Sequence, residues 1–132
     1  GGENHRFALY DMIMLKDNHI DFAGGIAKAI HKTQEYLKRE NRKLKIIVEA
    51  RDLDEVQQIL EAGGVYRILL DNFNYKQTRK AVELIGNHCL TESSGGINET
   101  TIRAYAECGV NYISSGALTH SVHNLDLSLK AV

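Results

Sequence analysis

The stretch that most constrains the fold is Arg67–Asn72, in which three consecutive aliphatic residues are followed by a carboxylate. A short apolar run without alternation is typical of a strand that is buried on both faces, as the strands of parallel sheets are. Similar runs occur at residues 12–16, 45–49, 88–92 and 111–115, and polar residues stand at the end of each. We therefore predict five parallel strands with polar groups along one edge of the sheet, where α/β folds hold their active sites.

Helical periodicity appears between these runs, in four segments: residues 22–40, 53–62, 75–85 and 98–108. The last four strand ends recur with a period of 22 residues, at Glu49, Asp71, Ser93 and Ser115. A regular alternation of strands and helices favours a barrel over a doubly wound sheet, with right-handed crossovers. Because five strands cannot close an eight-stranded barrel, the predicted fold class is α/β, a partial (β/α) TIM-type barrel with about five parallel strands and intervening helices.

The composition is that of an ordinary globular domain, with 43% hydrophobic residues, 25% charged residues and a formal net charge of −1. This balance gives no attraction to nucleic acid or membrane, and no apolar run approaches the roughly 18 residues of a membrane span. We therefore expect no nucleic-acid partner, no membrane partner and a cytoplasmic location, with Cys89 and Cys108 as buried free thiols. The start at Gly1–Arg6 lacks an initiator Met, so residues 1–132 are expected to be a fragment of a longer protein.

Two glycine-containing turns are the candidate phosphate site. Residues 92–97 form a glycine-rich turn between a predicted strand and a helix, and residues 114–117 form a second turn in the next unit. Such turns direct main-chain N–H groups at an anion, and two in succession at the end of a (β/α) array are typical of a phosphate site. The candidate residues are Ser94, Gly95, Gly96, Ser115 and Gly116.

Charged residues at the same predicted edge supply the other candidates. Glu49 and Asp71 end neighbouring strands, and two carboxylates there can hold Mg²⁺, directly or through water, or hold sugar hydroxyls. Lys16 can bind an anion or react as a Schiff-base amine, and His5 and Arg6 are further cationic groups suited to carboxylates. The set fits a phosphorylated sugar and a polyanionic partner, bound together with a hard metal ion.

The motifs that contain these residues resemble those of the quinolinate phosphoribosyltransferase family. They fall in that family's order over nearly the whole chain, at Asn4–Arg6, Leu15–His19, Leu70–Asn72, Glu92–Ile97 and Ser115–Ser121. The resemblance implies a pentosyltransferase that uses Mg²⁺ as its cofactor. Its reaction would transfer phosphoribosyl from phosphoribosyl pyrophosphate to quinolinate with decarboxylation, giving nicotinate mononucleotide, pyrophosphate and CO₂ in NAD biosynthesis.

The resemblance also implies a role for each candidate residue. The resemblance implies that the quinolinate carboxylates are bound by His5, Arg6 and Lys16. The resemblance implies that Glu49 and Asp71 hold the ribose hydroxyls and the metal ion. Glu49, Asp71 and Lys16 are the expected catalytic residues. The resemblance implies that Ser94, Gly95 and Gly116 hold the 5′-phosphate.

Two departures from the family pattern are visible. At Ile47 the family usually has a further acid. The family's Thr-Arg-Lys-Thr motif, its N-terminal α/β domain and the first barrel strands would precede Gly1, so the chain is expected to be the C-terminal part of the catalytic domain. In the family, the N-terminal domain of one subunit completes the partner's active site. We therefore expect a homodimer or higher homo-oligomer of the full-length enzyme, and an inactive isolated fragment.

Two other functions remain open from the sequence. The first is a non-catalytic fragment of such a barrel that binds a phosphorylated ligand or packs against a partner. The second is an aldolase-like barrel in which Lys16 forms a Schiff base with a carbonyl substrate. Trapping with borohydride separates the second function from the transferase, because the transferase forms no imine.

Overall fold

The computed structural model describes residues 2–6 and 11–119, and within this part the chain forms one parallel sheet of five strands. The strands, in chain order and in their order across the sheet, are β1 (Met12–Leu15), β2 (Lys45–Ala50), β3 (Arg67–Asp71), β4 (Leu90–Ser94) and β5 (Tyr112–Ile113). The helices are α1 (Asp17–Ala23), α2 (Ile26–Arg39), α3 (Leu53–Ala62), α4 (Tyr75–Ile85) and α5 (Ile102–Ala106), and a short 3₁₀ turn follows at Gly116–Leu118. The predicted α/β fold of parallel strands with intervening helices is confirmed.

The two faces of the sheet bury different side chains. One face packs against the helices, and its large apolar cluster includes Ile68 and Leu70, both fully buried. The opposite face, called the inner face below, carries a smaller cluster of Met14, Ile47 and Leu69. Because successive side chains of a strand point to opposite faces, the continuous apolar run of β3 serves both clusters, as the sequence predicts.

The helices α3 and α4 begin at the residues that the sequence predicts. The Asp52 carboxylate accepts a hydrogen bond from the Glu55 main-chain N–H at 2.8 Å and caps α3. Asn74 does the same for α4, accepting from the Gln77 N–H at 2.9 Å. Each cap satisfies a main-chain donor that the first helical turn would otherwise leave without a partner.

The helix predicted at residues 22–40 is two helices in the structure. α1 begins within the stretch predicted as a polar turn, and the His19 Nδ1 accepts from the Lys16 main-chain N–H at 3.1 Å at its start. Gly24 and Gly25 then separate α1 from α2, with φ angles of +83° and +117°. These angles suit glycine and interrupt the helix, although the apolar periodicity of α2 is as predicted.

Three other boundaries differ from the prediction. The fourth strand is predicted at residues 88–92 and lies at Leu90–Ser94, because the polar residues at its end continue the strand. The helix predicted at residues 98–108 is limited to α5, since the Asn98 side chain accepts from the Thr100 N–H at 3.0 Å and forms a local turn. The last strand, predicted at residues 111–115, is confined to Tyr112–Ile113.

The remaining predictions about the chain concern its thiols and a membrane. Cys108 is buried and Cys89 is half-buried, and both are free thiols. Burial raises the pKa of the Cys89 thiol, so this thiol is a weaker nucleophile than an exposed one. Among the described residues, no helix has the length and apolar character needed to cross a membrane. Residues 120 and 121, the end of the last family-like motif, lie outside the described residues.

Candidate active site

The candidate residues of the sheet edge come together as predicted. Lys16 directly follows β1, Glu49 lies one residue before the end of β2, and Asp71 ends β3. In the strand register, Asp71 pairs with Ser94 at the end of β4, while Glu49 pairs with Leu69. Since all these strands are parallel, the two acids, the lysine and the first glycine turn share the C-terminal edge of the sheet.

The pKa of Glu49 shows that these charged groups act on one another. Burial raises this pKa from its ordinary value of 4.5, and the negative charges of Asp71 and Asp17 raise it further. The Lys16 ammonium and a hydrogen bond from the Asp17 main chain act in the opposite direction. A partly buried carboxylate beside a second carboxylate favours a bound positive charge, because a cation there offsets both the burial and the repulsion.

The first glycine turn packs closely against the residue that follows β3. A Cβ atom on Gly95, whose φ is +91°, would lie 2.3 Å from the Asn72 Oδ1 and 2.8 Å from the Asn72 main-chain N. Asn72 donates its side-chain N–H to Asp71 at 3.0 Å and its main-chain N–H to the Ser94 carbonyl at 2.9 Å. The turn is thereby held next to the acid Asp71. Gly96, with φ of +61°, is exposed and has open space where a Cβ would stand.

The second glycine turn lies beside the first. The Ser115 hydroxyl donates a hydrogen bond to the Ile97 carbonyl, and the Ser114 main-chain N–H donates to the Ser93 carbonyl at 2.9 Å. Gly116 is exposed and begins the 3₁₀ turn. Because the Ser115 hydroxyl proton is engaged with Ile97, the group by which Ser115 could bind a phosphate is its main-chain N–H.

A buried polar cluster on the inner face is not singled out by the sequence. The Glu92 carboxylate is fully buried, with its Oε1 2.9 Å from the His5 Nε2 and hydrogen-bonded to the Ser114 hydroxyl. Its Oε2 accepts from the Arg67 Nη1 at 2.7 Å, and the Arg67 guanidinium lies 4.0 Å from the centroid of the Tyr112 ring. The available signal was a pair of opposite charges in two neighbouring strands that are otherwise largely apolar.

The 22-residue period does not correspond to a row of side chains in the sheet. Ser93 is buried, and it pairs with Leu70 of the helix-covered face rather than lining the inner face. Its neighbour Glu92 pairs with Leu69, which in turn pairs with Glu49. The inner-face row that contains Glu49 therefore continues through Leu69 to Glu92 and not to Ser93.

The structure also describes two further positions from the sequence analysis, Arg6 and Ile47. Arg6 is partly buried and adjoins His5, which is part of the buried polar cluster. Ile47, at the position where the family usually has an acid, is fully buried with Met14 and Leu69. The structure therefore holds an apolar contact at this position, and Glu49 is the inward carboxylate of β2.

Alanine at the two glycines of the first turn is expected to have unequal effects on stability. Both positions have left-handed φ angles, at which a residue with a Cβ costs about 1–2 kcal/mol. At Gly95 the new Cβ also meets the Asn72 main chain, so Gly95→Ala should lose a further 1–3 kcal/mol, roughly the cost of overpacking. Denaturant unfolding of both variants measures the difference, and an equal loss in Gly96→Ala would contradict the close approach.

Comparison with known proteins gives the same assignment along the whole chain. The family profile described as quinolinate phosphoribosyl transferase, C-terminal domain, matches residues 1–130. The chain is 46% identical over 144 aligned residues to nicotinate-nucleotide pyrophosphorylase (carboxylating), chloroplastic, of Arabidopsis thaliana, covering 98% of this chain and 41% of the relative. It is 40% identical to the probable nicotinate-nucleotide pyrophosphorylase (carboxylating) of Bacillus subtilis, covering 98% of this chain and 43% of the relative.

A solved structure agrees with these relatives. The nicotinate-nucleotide pyrophosphorylase from Francisella tularensis superimposes with a TM-score of 0.84 at 38% identity, covering 98% of this chain and 45% of that chain. The chain thus spans about two fifths of the length of the curated relatives it matches. The chain belongs to the quinolinate phosphoribosyl transferase family and matches its C-terminal domain.

Proposed function

We propose that this chain carries the acidic and phosphate-binding part of an active site that transfers phosphoribosyl from phosphoribosyl pyrophosphate to quinolinate. The reaction releases CO₂ and pyrophosphate and yields nicotinate mononucleotide, a step of NAD biosynthesis. The observation that carries the proposal is the meeting of Lys16, Glu49 and Asp71 with two glycine turns at one edge of the sheet. These residues lie within the stretch that matches the family.

The two acids fit the charge that this reaction develops. As the bond between C1′ and pyrophosphate breaks, the ribose takes on oxocarbenium-like positive charge. Glu49 already lies in the field of Asp71, and this repulsion is relieved when positive charge forms between them. The same carboxylates accept hydrogen bonds from the ribose hydroxyls, which holds the sugar over the edge of the sheet.

The residues also fit a magnesium ion, held partly through water. The described part of the chain has no group of three or more His, Cys, Asp or Glu side chains arranged to hold a metal ion. Mg²⁺ in phosphate-transferring sites is bound by one or two carboxylates together with waters and substrate phosphates, so Glu49 and Asp71 meet that requirement. A bound Mg²⁺ would supply positive charge to the leaving pyrophosphate.

The cations and the glycine turns fit the two anionic ends of the substrates. Lys16, His5 and Arg6 would bind the two carboxylates of quinolinate and hold its pyridine nitrogen against C1′. The 5′-phosphate would lie on the main-chain N–H groups of residues 94–96 and 115–116, where positive φ angles at Gly95 and Gly96 shape the first turn. Holding both reactants in this way converts a bimolecular step into an effectively unimolecular one.

The assembly and the location of the protein belong to the same proposal. A homodimer or higher homo-oligomer would let a second subunit complete the site, as the family resemblance implies. A cytoplasmic location is proposed because Cys89 and Cys108 are free thiols, as is usual in a reducing compartment. Relatives named as chloroplastic and mitochondrial occur in plants, so location is set separately from the site.

Release of ¹⁴CO₂ from carboxyl-labelled quinolinate tests the proposed function. The longest form of the protein that the source produces is expected to release label only when phosphoribosyl pyrophosphate and Mg²⁺ are both present. Lys16→Met, which keeps the length of the side chain but removes its charge, should lower the rate by about 10²–10³, the usual cost of one group that stabilises developing or bound charge. No release by the unsubstituted protein would overturn the proposal.

A borohydride control separates the transferase from an aldolase-like barrel. If Lys16 formed an imine, borohydride would reduce it in the presence of a carbonyl substrate and attach that substrate covalently. The transferase predicts an unchanged intact mass after the same treatment. Substrate mass retained on the peptide that contains Lys16 would favour the aldolase-like function instead.

A further inference from the structure

We propose that Glu92 is a positioning residue that holds the His5 imidazole at the quinolinate end of the active site. The inference rests on the proposed function and adds a residue to it. Glu92 touches His5 and not the reacting atoms, so its effect on the reaction would pass through His5.

Three separate parts of the chain meet at the Glu92 carboxylate. His5 comes from the segment of residues 2–6, Arg67 from the start of β3, and Ser114 from the residue after β5. Only 1% of the Glu92 side chain is exposed and 7% of the Arg67 side chain, compared with 37% for His5. The cluster is therefore anchored inside the sheet and reaches solvent through the imidazole.

Packing alone does not account for the charges in this cluster. The neighbouring inner-face residues Met14, Ile47 and Leu69 are apolar. Burying a carboxylate and a guanidinium carries a large desolvation cost, and apolar residues of similar volume often serve stability equally well or better. An apolar pair could not hydrogen-bond the His5 ring, whereas Glu92 does. His5 is the member of this cluster whose side chain is most exposed to solvent.

The position of Glu92 brings His5 within reach of a ligand at the acids. Glu92 and Glu49 lie in one register row with Leu69 between them, which puts their strands two spacings, about 9–10 Å, apart. Glu92 engages the Nε2 of His5, so Nδ1 is the ring nitrogen left to contact a ligand. In the imidazolium form both ring nitrogens are donors, so a ring fixed in this way can donate Nε2–H to Glu92 and Nδ1–H to a ligand carboxylate without first losing rotational freedom.

Quinolinate binding by a Glu92→Gln variant of the longest form of the protein tests the inference. The amide keeps the size of the side chain but cannot accept from His5, Arg67 and Ser114 as an ionised carboxylate does. We expect quinolinate to bind roughly 10- to 100-fold more weakly by titration calorimetry, the equivalent of one charge-assisted hydrogen bond. Ser93→Ala is the matched control, because Ser93 is buried in the same strand, faces away from the cluster and has an Oγ without a hydrogen-bond partner among the described residues. This control should bind quinolinate normally.

Two further variants distinguish positioning from loss of structure. Glu92→Gln leaves the buried Arg67 with a poorer partner and can unfold the protein, whereas Arg67→Met combined with Glu92→Leu removes both charges and is expected to remain folded. This double variant should show the same 10- to 100-fold loss. In a His5→Ala background, Glu92→Gln should cause little additional loss, because Glu92 acts through His5.

Histidine ¹⁵N NMR of the protein without substrate gives a readout independent of the reaction. Glu92→Gln should shift the His5 ring resonances, while Ser93→Ala should leave them in place. If the unsubstituted protein binds no quinolinate, the proposed function fails and the inference fails with it. If it binds quinolinate but the Glu92 variants bind equally well, if their losses add to that of His5→Ala, or if the His5 resonances do not move, Glu92 alone loses its proposed role.

Discussion

The 132-residue chain by itself is expected to show no detectable turnover of quinolinate and phosphoribosyl pyrophosphate. The edge of the sheet brings two acids, Glu49 and Asp71, together with Lys16, and His5 and Arg6 lie in the segment of residues 2–6. Both proposed substrates are anions, since quinolinate carries two carboxylates and phosphoribosyl pyrophosphate carries more charges still. The family resemblance implies that further cations come from a region outside this chain and from a partner subunit.

The size of the expected effect follows from those cations. A hydrogen bond to a charged group contributes about 1.5–3 kcal/mol, so two missing bonds lower the combined affinity by roughly 10²–10⁴. Substrates that bind without their full set of contacts are also poorly aligned, which lowers the rate further. The acids and the glycine turns alone would then hold phosphoribosyl pyrophosphate weakly and quinolinate more weakly still.

The measurement compares two samples in the ¹⁴CO₂ assay, the purified 132-residue chain and the same chain supplied with the N-terminal part of the Bacillus subtilis relative. We expect activity only in the second sample, provided that the two parts associate on a sizing column. Intact mass excludes contaminating longer enzyme from the first sample. Robust turnover by the chain alone would show that its own residues suffice for catalysis.

The sequence predicted the sheet well because its apolar runs are short, continuous and closed by polar residues. The run of β3, for example, contributes to both faces of the sheet, and this burial is what its lack of alternation indicates. The edge that carries Glu49 and Asp71 followed from parallel topology alone. The polar end of a strand was harder to predict, and β4 was predicted two residues too early because Ser93 and Ser94 were assigned to the turn.

The buried cluster could not be predicted for a related reason. Glu92 is buried because His5, Arg67 and Ser114 satisfy its carboxylate, and two of these partners lie 87 and 25 residues away in sequence. Such compensation is a tertiary property, and local polarity indicates a loop instead. The break between α1 and α2 was missed for the opposite reason, since Gly24 and Gly25 gave a local signal that the helical periodicity outweighed.

Glu49→Gln is expected to abolish most of the activity while making the protein more stable. In the proposed reaction this carboxylate faces the positive charge that develops on the ribose, and removing one such group typically lowers kcat by about 10²–10³. In the folded protein without ligands, the same carboxylate is partly buried beside Asp71 and Asp17. Glutamine has similar size and no charge, so it removes both the repulsion and the burial of an ionised group.

The sign of the pH dependence follows from the raised pKa of Glu49. Between the ordinary value of 4.5 and the higher folded value, the folded state binds more protons than the unfolded state. The free energy of unfolding of the parent protein therefore falls as pH rises through this window, and the cost of ionising Glu49 is fully present above it. The advantage of Glu49→Gln should be largest at neutral to alkaline pH and should disappear below about pH 4.5.

Thermal unfolding across this pH range measures the effect in the longest form of the protein. The gain at neutral pH should be on the order of 0.5–1 kcal/mol, at the low end for changes of surface charge, because Glu49 is only partly buried. Glu83→Gln is the matched control, since it makes the same change at an exposed position of α4 and should alter neither stability nor activity. A variant that is less stable than its parent at neutral pH, with the control unchanged, would show that the Glu49 carboxylate stabilises the fold and is not strained by its neighbours.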